Sequence, residues 1–489
     1  MIRQLFTDLE EERIAYAVWK GSGGLADALA GKKDIDLLVG QRDGVPALLG
    51  HLGFRRFASQ PWVADPHVED WIGIDSDSGA LVHLHLYYEL VAGRRFVEEY
   101  HLPWKETLLS GAQRHREFDI DVCDPDLEIL LLGIRIAFAT APTPVALLGR
   151  SRATASLGAK LSELRGRVDE ASVRNYAEQL LGQGVGQEYA MIVVRGDTRE
   201  PEVLSRLRAI TLRSLSPHRR FGRIKATHMQ LSRGCRALVA RAKRRIGVFS
   251  QTKKRMEGAG AIIAIIGSDG AGKSTVTREL VRWLRWKVDA HMVYLGSGDG
   301  RVGLPVRVLK SLASRTKPSK RGVASHGTKR ASEDRLRRRP LVKELGSCLL
   351  ALAIGNERLR KVRKAHRARR KGSVLITDRF PQRQYPGIYD GPKLDSADGG
   401  SALRRYFAKL EEQIYREIEA QPPDLVVRLR VPASVALHRK PDHSEAEIRR
   451  KAELTGQIEF PGATVLDVDA SAPLEDVLRS VKTVVWNSI

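Results

Sequence analysis

The sequence predicts an α/β protein: a three-layer αβα domain on a parallel sheet in the C-terminal half, a smaller α/β domain at the N-terminus, and a helical middle. Three observations predict it. The run Ile262 to Ile266 is apolar and almost wholly β-branched, as in a strand buried on both faces, and a glycine-rich loop and an amphipathic segment follow it directly. Two further apolar runs, Ser373 to Asp378 and Asp424 to Pro432, repeat that strand pattern downstream. Near the N-terminus, Ile14 to Trp19 and Asp34 to Val39 read as short strands, whereas Leu127 to Ala139 and Val173 to Leu181 carry helical spacing.

A chain of 489 residues exceeds the usual size of one core, so two or three domains are expected. The expected boundaries are an α/β domain over 1–105, a helical region packed on it over 106–217, a linker over 218–258, and the αβα domain over 259–489. The linker rests on charge: His218 to Arg255 holds thirteen lysines and arginines and no acidic residue, so self-repulsion disfavours a compact fold. A second basic stretch, Arg301 to Lys371, holds twenty-three basic residues against four acidic ones. Its Ser-, Gly- and Lys-rich part, 301–340, reads as an insertion, and the remainder as a long helix ending at Gly372. The net charge of +24 points to an anionic partner. The opening residues are polar and the longest apolar runs fall short of the ~20 needed to cross a bilayer, so a cytoplasmic protein is expected. Cys123, Cys235 and Cys348 are too far apart in sequence to suggest a metal-ligand pair.

The loop after the first buried strand reads Gly267-Ser268-Asp269-Gly270-Ala271-Gly272-Lys273-Ser274, then Thr275 and a helix. It meets the phosphate-binding pattern of glycines with a closing Gly-Lys-Ser. The glycines free backbone N–H groups to wrap phosphate, Lys273 reaches the β/γ oxygens, and the Ser274 hydroxyl ligates magnesium. ATP with Mg2+ is the expected cofactor. Asp378 ends the Ser373 to Asp378 strand; on a neighbouring parallel strand it would reach the same sheet edge and order the metal or the attacking group. Beyond Pro432 the segment ALHRKPDHSEAEIRRK is dense in cations, and Arg439, Arg449 and Arg450 are candidates to close on transferred phosphoryl oxygens.

These features in this order resemble the thymidylate kinases. GSDGAGKST is similar to that family's loop, and the resemblance implies that Asp269 contacts the acceptor's sugar. TDRF is similar to its Asp-Arg-aromatic signature, which implies roles for Asp378 and Arg379. ALHRKPDHSEAEIRRK stands where the family places its lid, and Arg358, on the preceding helix LLALAIGNERLRK, is near the position of an arginine that grips the acceptor phosphate. The chain departs from the pattern in having Gly270 where some members carry arginine, and PQRQYPGIYDGPKLD where a thymine-holding element stands.

At the N-terminus, Gly21-Ser22 followed by Asp34-Ile35-Asp36 resembles the nucleotidyltransferase superfamily. The resemblance implies that Gly-Ser holds a triphosphate and that Asp34 and Asp36 hold metal. A third carboxylate is expected on a later strand, but Leu81 to Leu86 offers His83 and His85 instead. Either His85 substitutes as a ligand, or the domain binds without catalysing. Asp75 and Asp77 read as turn residues.

The leading expectation is ATP-dependent phosphoryl transfer to a nucleoside monophosphate or a related phosphorylated small molecule. The alternative is a nucleotide-dependent binding protein whose basic segments hold RNA or an anionic membrane surface. The expected partners are a nucleotide substrate, such a polyanion, and a second copy in a homodimer.

Overall fold

The computed structural model describes residues 1–141, 150–296, 330–394, 401–439 and 445–489. It is an α/β protein of two compact units, Met1–Glu257 and Gly258–Ile489. The expected insertion 301–340 lies outside the described residues up to 329, where the helix Arg330–Arg369 begins. Among the described residues no helix is long and apolar enough to cross a membrane.

The first unit is built on an eight-stranded mixed sheet ordered β10-β3-β4-β5-β2-β1-β9-β8. Its strands are β1 (Tyr16–Lys20), β2 (Ile35–Val39), β3 (Arg55–Ala58), β4 (Val68–Ile74), β5 (Leu81–Tyr87), β8 (Gln113–Arg114), β9 (Asp121–Val122) and β10 (Arg255–Met256). A hairpin of β6 (Leu90–Arg94) and β7 (Val97–Leu102) stands apart from it. Strand periodicity sorts the faces. Val18, Ile35, Leu37, Val39, Val82, Leu84 and Leu86 join one core with Leu5, Phe6 and Leu9 of the helix Ile2–Glu11. Ala17, Trp19, Leu38 and Tyr87 join the opposite core with Leu127, Ile134 and Phe138 of the helix Pro125–Ala139. The helices Glu170–Leu181, Gly186–Arg195 and Pro201–Ser214 contribute Val173, Tyr189 and Leu207 to that second core.

The basic stretch expected as a linker is largely helix, over Arg223–Arg245. The reason is spacing: Ala226, Gln230, Gly234, Ala237 and Ala240 turn inward. Most of its cations then stay on the solvated side, where repulsion is screened. After it, β10 pairs antiparallel with β3 at the edge of the sheet.

The second unit carries a wholly parallel five-stranded sheet, ordered β12-β13-β11-β14-β15, from β11 (Ile262–Gly267), β12 (Ala290–Tyr294), β13 (Val374–Asp378), β14 (Leu425–Arg430) and β15 (Thr464–Asp469). Every residue of β11 is buried, as its central place requires. The helix Lys273–Leu284 buries Val276, Leu280 and Leu284 at fourfold spacing, and Leu474–Ser488 buries Val477, Val481 and Val485 likewise. Trp283 and Trp486 of these helices meet edge to face with centroids 6.3 Å apart. The long helix Arg330–Arg369 packs against Ala402–Glu419 and is fastened at its end by Arg369, whose Nε donates to Asp424 at 2.6 Å. Parallel strands bring the loops after β11 and β13 to one sheet edge: Asp378 lies in register with Ile265, two residues before the glycine-rich loop.

Candidate functional site

The loop Gly267 to Ser274 leaves the central strand and turns directly into the helix Lys273–Leu284. Two glycines make that turn: Gly270 at φ +88° and Gly272 at φ +84°, in backbone regions that side chains rarely adopt. Lys273 is buried and its Nζ donates to the Ser268 carbonyl at 2.7 Å. The Ser274 hydroxyl donates to Asp378 Oδ2 at 2.8 Å. Asp378 is 3% exposed, and its Oδ1 and the Ser268 hydroxyl are buried without a hydrogen-bond partner. A buried carboxylate oxygen without a donor is costly, and a cation beside the Ser274 hydroxyl would satisfy it. The donor set of one hydroxyl and one carboxylate suits magnesium, which prefers oxygen ligands and keeps several waters.

Beside the loop lies a cavity of about 290 Å³, lined by Arg358, Arg379, Lys393, Arg450 and Lys451 against Asp269 and Asp390. The cations outnumber the carboxylates, so it favours an anion. Lys451, on the helix Glu445–Thr455, donates to Asp269 Oδ2 at 2.7 Å, and Arg379 lies 3.5 Å from Asp269 Oδ1. Burial works to raise the Asp269 carboxyl, but Lys451, Lys273 and Arg379 outweigh it and hold the carboxyl at about 2. Arg358 is almost fully buried; its Nε donates to the Leu295 carbonyl at 3.0 Å, and Asp390 and the Tyr415 hydroxyl take its other nitrogens. Arg379, Tyr389 and Asp390 have φ of +70°, +49° and +62° and are the non-glycine residues of this unit with positive φ among those described. Such strain costs about 1–3 kcal/mol per residue and gathers at functional sites. All three line the cavity.

A second cluster sits on the sheet of the first unit. Asp34 and Asp36, His83 and His85, and Asp70 on β4 share the face that also carries Tyr87, because β4, β5 and β2 are neighbours with Asp70 opposite His85 and His85 opposite Asp36. His83 contacts Asp34 through Nδ1 at 2.8 Å and Asp70 through Nε2 at 3.0 Å. His85 contacts Asp36 through Nδ1 at 3.4 Å and Asp70 through Nε2 at 3.0 Å. Lys20 lies 3.4 Å from Asp36, and Lys254 3.3 Å from Asp70. Burial opposes ionisation of Asp36, yet Lys20 and His85 hold its carboxyl well below the usual range; Asp70 is held down against burial by His83 and His85. Burial lowers Lys20 to about 8, against the pull of Asp36, and lowers His83. His85 rises to about 9 because Asp36 and Asp70 outweigh its burial.

Gly21 and Ser22 are already occupied. The buried Glu128 carboxylate, from the helix Pro125–Ala139, accepts from the Gly21 amide at 2.6 Å and the Ser22 hydroxyl at 2.5 Å. A triphosphate and a pair of magnesium ions therefore do not fit this site: one carboxylate fills the phosphate cradle, and imidazole nitrogens face the metal position.

No protein-family model matches the chain. It is 33% identical over 220 residues to the uncharacterized ATP-binding protein YghS of Escherichia coli strain K12, a match spanning 45% of this chain and 90% of that protein. The chain belongs to the YghS family. The uncharacterized ATP-binding protein YghR of the same strain is 28% identical over 225 residues, 46% of this chain and 86% of its own length, and YghR of strain CFT073 matches to the same extent.

In this YghS-family chain, the structure gathers Lys273, Ser274, Asp269, Asp378, Arg379 and Arg358 around one sheet edge. Arg439 stands apart: its guanidinium donates to the Ala470 carbonyl at 3.0 Å and does not line the cavity. Arg449 pairs with Glu445, one turn earlier on its own helix, whereas Arg450 does line it. Lys451, Tyr389 and Asp390 were not singled out by the sequence, nor was Asp70; a carboxylate pair in the middle of the apolar run VEDWIGI was the available signal for Asp70.

Proposed function

We propose that the second unit is an ATP- and magnesium-dependent kinase of the thymidylate kinase type, acting on a nucleoside monophosphate or related phosphorylated small molecule. The observation that carries this reading is Asp378. It holds the Ser274 hydroxyl with one buried oxygen, leaves the other without a donor, and sits at the same sheet edge as Lys273 and the cationic cavity. The ATP-binding description of the YghS and YghR relatives supports the nucleotide.

In this reading the amides of Gly267 to Ser274 bind the ATP phosphates, and Lys273 exchanges the Ser268 carbonyl for phosphate oxygens. Magnesium, when bound, shields the charge that builds on the transferred phosphoryl. Ser274 and Asp378 are the residues that would hold it. Arg450 and Lys451 hold the acceptor phosphate, with Arg379 between the two phosphates and Asp269 facing the acceptor. Arg358 positions Asp390 and the acceptor wall. An acceptor phosphate oxygen attacks the γ phosphorus in line, the bond from γ phosphorus to the β-bridging oxygen breaks, and ADP leaves. Excluding water from the cavity favours transfer over hydrolysis.

The test is ADP release by the purified protein with ATP and magnesium, across a panel of nucleoside monophosphates and sugar phosphates. At least one acceptor is expected to raise ADP formation well above background, with Lys273→Ala and Asp378→Asn each lowering it about 100-fold or more. ATP binding with no acceptor-dependent ADP, or wild-type rates in both variants, would overturn the proposal.

A further inference from the structure

The cluster on the first unit's sheet serves neither the kinase reading nor a magnesium-dependent transfer, and its geometry points to a different ligand: Asp34, His83 and His85 form a binding site for a first-row transition dication of the zinc class, with Asp70 orienting both imidazoles from behind. Each of the three ligand residues offers an atom within 4.8 Å of the others. His83 and His85 are alternate residues of β5, and Asp34 immediately precedes β2, the strand paired with it.

The argument starts from Asp70. Its Oδ1 lies 3.0 Å from the Nε2 of each imidazole, while its Oδ2 takes the Ser59 hydroxyl and Lys254 approaches to 3.3 Å. A carboxylate accepting from Nε2–H fixes the tautomer and leaves the Nδ1 lone pair for a metal, the arrangement that supports metal-bound histidine. One carboxylate does this for two imidazoles here. Their Nδ1 atoms then face Asp34 at 2.8 Å and Asp36 at 3.4 Å. At His83, which is 0% exposed and cannot turn to water, a bare Nδ1 lone pair against the Asp34 oxygen would be repulsive, so a proton or a metal ion belongs between them. A cation between nitrogen and oxygen reverses the sign of that contact.

The size agrees with a metal. Ligand atoms around a tetrahedral ion at zinc distances stand about 3.3 Å apart, so the His83–Asp34 contact of 2.8 Å needs to open only slightly. Asp34 and His85 keep 27% and 25% of their side-chain exposure, which gives an ion a way in. Two imidazoles and one carboxylate suit zinc, iron, cobalt or manganese, whereas magnesium keeps to oxygen. Three protein ligands leave a coordination position open to a water or a small anionic ligand. Protons can serve in place of a metal at such contacts, and the experiment separates the two.

The full-length protein is stripped with a chelator and titrated calorimetrically with Zn2+ and with Mg2+, and with Co2+ followed by its visible ligand-field absorption. The expected result is one zinc per chain, no magnesium binding at the same concentrations, and a cobalt spectrum characteristic of mixed nitrogen and oxygen ligation. Asp34→Asn and His85→Gln are expected to weaken zinc binding at least ~10-fold and to alter the cobalt spectrum, and Asp70→Asn to weaken it ~10- to 100-fold. Circular dichroism of the stripped variants shows whether each still folds. Should His85→Gln fail to fold, the milder Asp34→Asn carries the test. Zinc uptake below one equivalent, equal magnesium binding, or unchanged zinc affinity and cobalt spectrum in folded Asp34→Asn would overturn the proposal and leave a proton-bridged network.

Discussion

Asp269 ties the glycine-rich loop to the helix Glu445–Thr455 through Lys451, and its carboxyl is held at about 2, below its ordinary value of 3.8. A carboxyl depressed in the folded state contributes stability that is fully present above its unfolded value and is lost as pH falls through its folded one. The stability gap between wild type and Asp269→Asn is therefore expected to be constant from neutrality down to about pH 5 and to shrink toward about pH 2. Denaturant titration of both proteins across that range measures it; a gap that grows on acidification would contradict the assignment of Lys451, Lys273 and Arg379 as its partners. At this scale Lys273, Ser274 and Asp378 were legible because their spacing along the chain states their chemistry. Asp390 and Tyr389 were not, since their importance comes from a strained backbone that returns them to the cavity. Asp70 became a member of its cluster only through cross-strand register with His85. Arg439 is the converse case: charge density marks it, and in this structure its guanidinium donates to the Ala470 carbonyl.

Among the elements, the short helix Ala433–Arg439 backs the glycine-rich loop so closely that a Cβ on Gly270 would stand 2.6 Å from the Ala436 carbonyl oxygen. The same residue has φ +88°. Steric and conformational demands therefore coincide, and a side chain has no room here. Gly270→Ala is expected to cost about 1–3 kcal/mol. That lowers the melting temperature of the second unit by roughly 2–12 °C, and ATP affinity falls with it. Differential scanning fluorimetry with and without ATP checks both, and an unchanged melting temperature would show that the loop and helix yield freely. The strands Ile262–Gly267, Val374–Asp378 and Leu425–Arg430 were legible because a doubly buried parallel strand leaves an apolar run in the sequence. The helix Arg223–Arg245 was hidden by its charge: its inward face is made of alanine, glycine and glutamine, which carry little hydrophobic signal.

For the whole molecule, two units with cores of their own are expected to respond separately to their ligands. A ligand at about 100 times its Kd adds about 2.7 kcal/mol to the stability of the unit that binds it. In calorimetry of the full chain, ATP with magnesium should raise one transition by roughly 5–10 °C, and zinc should raise the other. One transition that moves as a whole with either ligand would show a single cooperative molecule. The α/β class and the parallel sheet were legible at this scale, while the mixed sheet of the first unit was not. It draws β10 from residues 255–256, far along the chain from its partner β3 at 55–58, and no local pattern records a pairing of that separation. That closing strand also sets an order of events during synthesis. Until residue 256 has cleared the ribosome, the outer rim of β3 presents unpaired amides and carbonyls to other nascent chains, the kind of rim on which strands add and aggregates start. Lys254, which neighbours Asp70, arrives with the same segment. A stalled or prematurely cut chain ending near residue 215 would thus emerge with both an open rim and an Asp70 that lacks Lys254, and would be a natural client for chaperones and proteases.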